Sequence, residues 1–537
     1  MKRRDFIKLS SIAGVAGVVG SHLDMTATGP LYAQQANGFD LHPFIKAHPE
    51  AVFVYLTDVK EKTDQKGTYD AGNKLAREMF VSTSGGVGYP NSTKIAGKPN
   101  WTCAPQSDGY EAAMGIVTDL GFIEGYLNGV KSKGPQQFYL RECACTNLWE
   151  ECGYLPMARR NNFDLRILND RDPWEYENGE IVFKEVKNGV MAKEFAFMAP
   201  MNTPDSFLIN LAKFKAHNVA GGVTGTIKNL QGTSARRFNS FCGSFADIFR
   251  SYPAGYHKYF HPNYLETIAE LHKKHIEAGY PRWNERMARA PFNYGFYIEQ
   301  WAQRMCDAYS TFPIGTNDIH VLEGIYWRDG DGFLLGPHNG KAKDFMCNMS
   351  LFGRDPFKID IIANWLSCHE PGNFGLFHIG IERGLSDVLD PFDIPVYLWK
   401  NGRARKTKLN KLKRFPLLTS YNHKIGEEDL YHLCDEPFDY KYWKATGKIA
   451  VNDTPSIKVI GTDSNNQIVM DMNVPEKGDV YVDILNNRGD VVWKMHAPDL
   501  EPGNHQVVWD GFNQPGMYNA YVKGMEWDAE REIVIYT

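Results

Sequence analysis

The sequence predicts an α/β protein, a mostly parallel, doubly wound sheet with helices on both faces, followed by a small C-terminal β-sandwich. Three observations predict it. The run Ser206 to Gly232, SFLINLAKFKAHNVAGGVTGTIKNLQG, is apolar at odd and even positions alike through Phe207, Leu208, Ile209 and Leu211, as in a strand buried on both faces. Upstream of it, strand-like and helix-like patterns alternate at the spacing of βαβ units. From about Ile457 the character changes to short alternating runs, QIVMDMNV, VYVDILN, VVWKMH, HQVVWD, YNAYVKG and REIVIY, separated by turns such as Asn487-Arg488-Gly489 and Pro502-Gly503-Asn504, which is a sandwich pattern.

Taken in order, residues 51–59 (AVFVYLTDV) read as a first buried strand and Tyr69 to Met79 as a helix. Ser82 to Pro99 is a glycine-rich loop that ends in Lys98-Pro99-Asn100, where proline favours a strand end over a strand centre. Tyr110 to Val130 has helical periodicity, with Ala113, Val117, Leu120 and Tyr126 near one stripe. Strand Gln137 to Arg141, helix Asn147 to Arg160 and strand Asp164 to Leu168 follow. Asn169 to Met201 reads as an insertion with its own strand, Ile181 to Val186. Residues 233–312 read as helical; His257, His261, His272 and His275 show no H-E-x-x-H spacing and read as surface histidines. The sheet resumes at Ile319 to Tyr326 and Asn348 to Phe352, with helix Lys358 to Cys368 after it. The basic run 403–414, RARKTKLNKLKR, reads as a solvated linker face.

The chemistry concentrates where the central apolar run ends. If the extended geometry continues, the two-residue period puts Lys213, Lys215 and His217 on one face near the carboxyl end of the strand, the edge at which open α/β sheets bind ligands. Gly221, Gly222 and Gly225 then permit a tight turn, and Lys228 and Asn229 follow it. One reading is an anion or carboxylate pocket whose Lys215, His217 and Lys228 also move protons, because burial and neighbouring positive charge lower a lysine pKa. The other is a solvated basic loop after a core strand. Two unpaired lysines about 6 Å apart would repel by roughly 3 kcal/mol at an effective dielectric of about 20. A carboxylate such as Glu323 or Asp355, or a bound anion, is therefore expected between them. If Glu323 and Asp355 instead join His217 around a cation, the pocket becomes a metal site.

Lys215-Ala216-His217, Gly222-Val223-Thr224, Lys228-Asn229 and Gly232 resemble the signature of an uncharacterised bacterial and archaeal family, domain-of-unknown-function family number 362. Lys98-Pro99-Asn100, Glu323-Gly324 with Asp331-Gly332 and Gly336-Pro337, and Gly353-Arg354-Asp355-Pro356 with Asp360 extend the resemblance over residues 50–400. It implies the α/β fold and makes Lys98, Asn100, Gly221, Gly222, Thr224, Asn229, Gly232, Glu323, Asp331 and Asp355 candidate ligand-binding positions. The pairing of Lys and His near a glycine-rich strand end also resembles nickel-dependent lactate racemases, which points to proton abstraction beside a carbonyl. LEPGNHQVVWDGFNQPGMYNAYV, with Trp509-Asp510-Gly511 and Gly516-Met517-Tyr518, resembles the Ig-like domain of flagellar hook-capping proteins.

Lys2-Arg3-Arg4-Asp5-Phe6-Ile7-Lys8 resembles a twin-arginine export signal, with a weakly apolar segment Leu9 to Val19 and a candidate cleavage site at Leu31-Tyr32-Ala33. The apolar segment is too short for a lasting membrane span. The expected organisation is a signal peptide at 1–33, the α/β domain at 40–400, a basic linker and extension at 401–452 and the sandwich at 453–537. Export through the twin-arginine translocase implies a periplasmic, cell-surface or secreted protein. A net charge of −5 with 23% charged residues argues against nucleic acid as a partner. Nine cysteines cannot all pair within one chain. Cys143, Cys145 and Cys152 form the one cluster, in a C-x-C-x₆-C spacing that matches neither a common zinc pair nor a bacterial ferredoxin run. The cluster reads as a metal or iron–sulfur site, with Cys103 a candidate fourth ligand, or as buried thiols or a local disulfide. The functional readings are thus an exported enzyme for a small anionic or carboxylate-bearing molecule, a metal or iron–sulfur carrier, or a binding protein without catalysis.

Overall fold

A computed structural model describes residues 37–101, 109–142, 148–166, 171–217, 222–235, 238, 247–281, 294–330, 338, 341–417, 421–425, 428–432, 437–449, 455–463, 467–510 and 516–535. The expected signal peptide lies outside the described residues. The main sheet runs in the order Arg403–Thr407, Val396–Lys400, Val52–Leu56, Met349–Gly353, Asp318–Asp329, Ser206–Ala216, Lys94–Pro99, Gln137–Arg141, Asp164–Arg166. The pairings around the central strand Ser206–Ala216 are parallel, to Asp318–Asp329 on one side and to Lys94–Pro99 on the other, and Lys94–Pro99 pairs parallel with Gln137–Arg141. Met349–Gly353 enters antiparallel to both of its neighbours. The fold is α/β with a large, mostly parallel sheet.

All eleven residues of the central strand are buried, and its side chains divide by parity. Phe207, Ile209 and Leu211 enter a core shared with the helices Gln65–Met79 and Leu120–Lys131, while Leu208, Ala212, Phe214 and Ala216 enter a second core shared with Tyr294–Ser310, Pro356–Leu366 and Gly375–Glu382. Each face of the sheet is therefore covered by helices, which is why the strand reads as a continuous apolar run. Burial at about 25 cal/mol per Å² of apolar surface is the main stabilising term on both faces.

Two expected helices are broken where the backbone turns left-handed. The periodicity of Tyr110 to Val130 resolves into Gly109–Ala113 and Leu120–Lys131, parted at Gly115 with φ +84°, and Asp119 caps the second helix by accepting from Phe122 N at 2.9 Å. Asn147 to Arg160 likewise becomes Leu148–Glu151 and Tyr154–Asn161, parted at Gly153 with φ +82°. The insertion is a hairpin, Ile181–Glu185 with Glu194–Met198. The basic run starting at Arg403 is not linker at its beginning: Arg403–Thr407 is the edge strand of the main sheet, with its charged side chains outward, as edge strands favour.

Seven strands between Ser456 and Ile535 build two antiparallel sheets around a separate core of Ile468, Met470, Val482, Ile484, Trp509 and Val522 among others. The five-stranded one begins upstream, at the hairpin Tyr421–Ile425 and Glu428–His432, which pairs with Ser456–Asp463.

Candidate functional site

The central strand ends at Ala216, and Val223–Thr224 folds back antiparallel on it, so that Thr224 faces Lys215 and Val223 faces Ala216. The helix Thr226–Gln231 starts immediately after. Its N-terminus is closed by Asp360, which accepts from Thr226 N at 2.7 Å, Thr226 Oγ1 at 2.8 Å and Ile227 N at 3.0 Å. Burial raises the Asp360 pKa to about 6 against the pull of those donors. The helix then returns Lys228 and Asn229 to the strand edge.

On one face of the sheet Lys98, fully buried, donates to Glu142 Oε2 at 2.6 Å and to Asn229 Oδ1 at 3.1 Å. Gly232 packs against this pair: a Cβ there would lie 2.5 Å from Glu142 Oε1 and 2.8 Å from Lys98 Nζ, so no larger residue fits. Asn100 Nδ2 also donates to Asn229 Oδ1, and Asn229 Nδ2 donates to Asn210 Oδ1 at 2.7 Å. Asn210 Nδ2 lies 3.1 Å from His320 Nδ1, and His320 Nε2 lies 3.0 Å from Asp318 Oδ2. Because the Asn210 amide donates, Nδ1 of His320 accepts and its proton sits on Nε2, toward Asp318. A one-directional chain of donors thus fixes Asn229 beneath Lys98.

On the other face Lys213 donates to Glu323 Oε2 at 2.7 Å and lies 3.6 Å from the centre of the Tyr326 ring. Lys215 donates to the carbonyl of Ile116. Burial, reinforced by the charges of Lys228, Arg328 and Lys213, holds the Lys215 pKa well below the ordinary lysine value. His217 lies beyond the strand end, and its ring meets Trp301 edge-on at 5.5 Å, in the core of the opposite face. Burial, then Lys228 and Lys215, hold its pKa well below 6.5. The single-face expectation is therefore corrected: Lys213 and Lys215 share a face, but the chain turns after Ala216 and His217 leaves it. Lys228 bridges the two sides. It is half-buried, its Nζ stands 5.8 Å from the Trp301 ring centre, and its charge acts on Lys215, His217 and Glu142 together.

The carboxylate of this cluster is Glu142, which sequence reasoning missed; burial raises its pKa while Lys98 and Lys228 oppose the rise. Glu323 is present but is occupied by Lys213. Asp355 is not brought to the cluster. It caps the helix Pro356–Leu366, accepting from Phe357 N at 3.0 Å, and pairs with Lys358 at 3.1 Å. The antiparallel course of Met349–Gly353 sends it to the opposite edge of the sheet, so Asp355, Glu323 and His217 do not form a common cation site. Gly222, with φ +67°, carries the turn. Gly221, Asp331, Cys103, Cys143 and Cys145 lie outside the described residues. Cys152 is buried, and burial pushes its thiol pKa up. Among the described residues no group of three or more His, Cys, Asp or Glu is arranged to hold a metal ion. Trp301 and Arg304 were also missed, the latter fully buried with its guanidinium 5.9 Å from the Trp301 ring centre; an aromatic and a cation one turn apart on a helix gave no signal by themselves. A cavity of about 330 Å³ lined by Asn202, Ser206, Thr311 and Asp318 lies at the opposite, amino edge of the strands.

No helix among the described residues is long and apolar enough to cross a membrane. A comparison with curated proteins finds no match. A family model does match, over residues 95–364, half of the chain, and these bounds take in Lys98, Glu142, the central strand, the turn with Lys228 and Asn229, and Asp360. With that span matched, and with the strand-end cluster inside it, the chain belongs to the family described as Domain of unknown function (DUF362).

Proposed function

We propose that this chain is an exported enzyme that binds a small carboxylate-bearing molecule at the carboxyl edge of its central strand. One observation carries the reading. Lys98, Lys213 and Arg328 each hold a carboxylate, Glu142, Glu323 and Asp344, whereas Lys228 makes no hydrogen bond or ion pair to a described residue. A half-buried lysine with no such partner is a place for the charge of a ligand. Lys215 and His217 are then the proton-accepting groups of the site, since burial and neighbouring positive charge disfavour their protonated forms. Export is supported by Arg3 and Arg4 in the N-terminal pattern.

Replacing Lys228 by Met tests the site. Binding of pyruvate or lactate, measured by calorimetry, is expected to weaken about tenfold or more, as loss of one charge-assisted contact implies, with an unchanged melting temperature. Equal affinity in the variant would end the proposal. Recovery of the chain from the periplasmic or culture fraction, lost when Arg3 and Arg4 are both Lys, checks the export part.

A further inference from the structure

We propose that Lys215 is a nucleophile that forms an imine with the carbonyl carbon of a 2-oxo acid whose carboxylate is held by Lys228. The proposal rests on the anion-binding reading of Lys228 and goes beyond it by naming a covalent step and the substrate class that step requires.

Two features point to this amine. Lys215 is fully buried and flanked by the like charges of Lys228, Arg328 and Lys213. Desolvation beside a second cation is the established way to present a lysine as a free amine. Finally, Thr224 stands directly opposite Lys215 in the antiparallel pair, so both side chains leave the same face of the sheet, and Thr224 is fully buried with a hydroxyl that has no hydrogen-bond partner among the described residues. A buried hydroxyl without a partner costs about 1–3 kcal/mol, and the carbonyl oxygen of a ligand bound to Lys215 would satisfy it.

The step balances without a further reactant. The Nζ lone pair adds to the carbonyl carbon, forming the C–N bond, and the oxygen takes a proton to give a carbinolamine. A second proton on that oxygen lets it leave as water while nitrogen gives up its remaining proton and the C=N bond forms. Both protons gained by the oxygen are those lost by the amine. The imine, once protonated, withdraws electrons from the carbon on its other side from the carboxylate, so removal of a proton from that carbon, with its electron pair passing to nitrogen as an enamine, becomes accessible. A hydroxy acid, having no carbonyl, cannot enter this step.

The test is reductive capture on the full chain. Pyruvate is added with cyanoborohydride at neutral pH, and the modified peptide is located by mass spectrometry. A carboxyethyl group on Lys215, at least about tenfold above that on any other lysine, is expected, with capture falling about tenfold in Lys228→Met. Calorimetry with pyruvate runs in parallel. Binding that depends on Lys228 without capture at Lys215 overturns the imine and leaves the anion site standing. Absence of both binding and capture overturns both. Capture at Lys215 that is equal in Lys228→Met overturns the placement of the carboxylate. The mapping is read on the unaltered protein, so it does not depend on whether a Lys215 variant folds.

Discussion

Three lysines within one short run illustrate how differently the same side chain is used. Lys213 and Glu323 are both fully inaccessible and form a pair at 2.7 Å; burial raises the Glu323 pKa, and Lys213 is what opposes the rise. Removing one member of such a pair leaves an uncompensated buried charge, at a cost of about 3–5 kcal/mol. Lys213→Met is therefore expected to lower unfolding free energy by about that amount in urea titrations, while Lys213→Met combined with Glu323→Leu recovers most of it. Lys228→Met, at a half-buried residue with no ion pair to a described residue, is expected to leave stability unchanged. Equal melting of Lys213→Met and the unaltered protein would show that the pair contributes nothing.

At the scale of elements, the helices Tyr264–Glu277, Tyr294–Ser310 and Gly375–Glu382 are joined by one histidine. His275 was expected on the surface with His272, yet both are buried, because they share the core-facing stripe of their helix. His275 Nδ1 meets Glu299 Oε2 at 2.6 Å and Nε2 meets Glu382 Oε2 at 2.7 Å, with the Tyr280 ring stacked at 4.3 Å. Lys274 also pairs with Glu382. Burial alone would lower the His275 pKa, but the two carboxylates outweigh it and bring it to about 9. The bond from His275 lowers Glu382 to about 2. A folded-state pKa raised above 6.5 contributes stability that is full below pH 6.5 and is lost as pH rises through about 9. The depressed Glu382 contributes above pH 4.5 and is lost as pH falls through about 2. The same contacts underlie both limbs, so they are not added. The difference in unfolding free energy between the unaltered protein and His275→Gln is expected to be greatest between these limits, on the order of 3 kcal/mol, and to shrink by pH 9. His272, of lowered pKa, and His378, which burial takes to about 4, titrate in both proteins and largely cancel in the difference. A difference independent of pH would refute the clamp.

For the whole molecule, the informative feature is the order in which the chain visits its cores. After the edge strand Arg403–Thr407 it supplies the hairpin 421–432 to the five-stranded sheet. It then returns through Tyr440–Thr446, where Tyr440 Oη donates to Glu370 at 3.1 Å and Lys444 pairs with Asp390 and Asp393, before completing the sandwich from Ser456. Ending the chain at residue 452 therefore strips Glu428–His432 of its partner Ser456–Asp463, exposing one edge of the hairpin. Such a protein is expected to melt cooperatively but to self-associate with concentration in sedimentation, because an unpaired strand edge templates pairing. A monodisperse truncated chain would contradict this.

How much of this was legible follows from the range of the interactions concerned. The central strand, its burial on both faces and its basic end were readable because side-chain period and apolarity are local properties of consecutive residues. So was the strand end at Lys98-Pro99-Asn100, since proline cannot continue the ladder there. The depressed proton affinity of Lys215 was also anticipated, from burial plus neighbouring positive charge. The chain alone did not reveal that Glu142 rather than Asp355 is the carboxylate of the cluster. That depends on strand direction, and the antiparallel course of Met349–Gly353 carries Asp355 to the far edge while the parallel Gln137–Arg141 delivers Glu142 to the near one. Nor did spacing show that His217 turns onto Trp301 or that His275 is held between two carboxylates. Charges act through space with a strength set by distance and burial, and both quantities exist only once the sheet and its helices have been assembled. Sequence by itself determined which residue types stand at the strand end; tertiary structure decided which of them face one another.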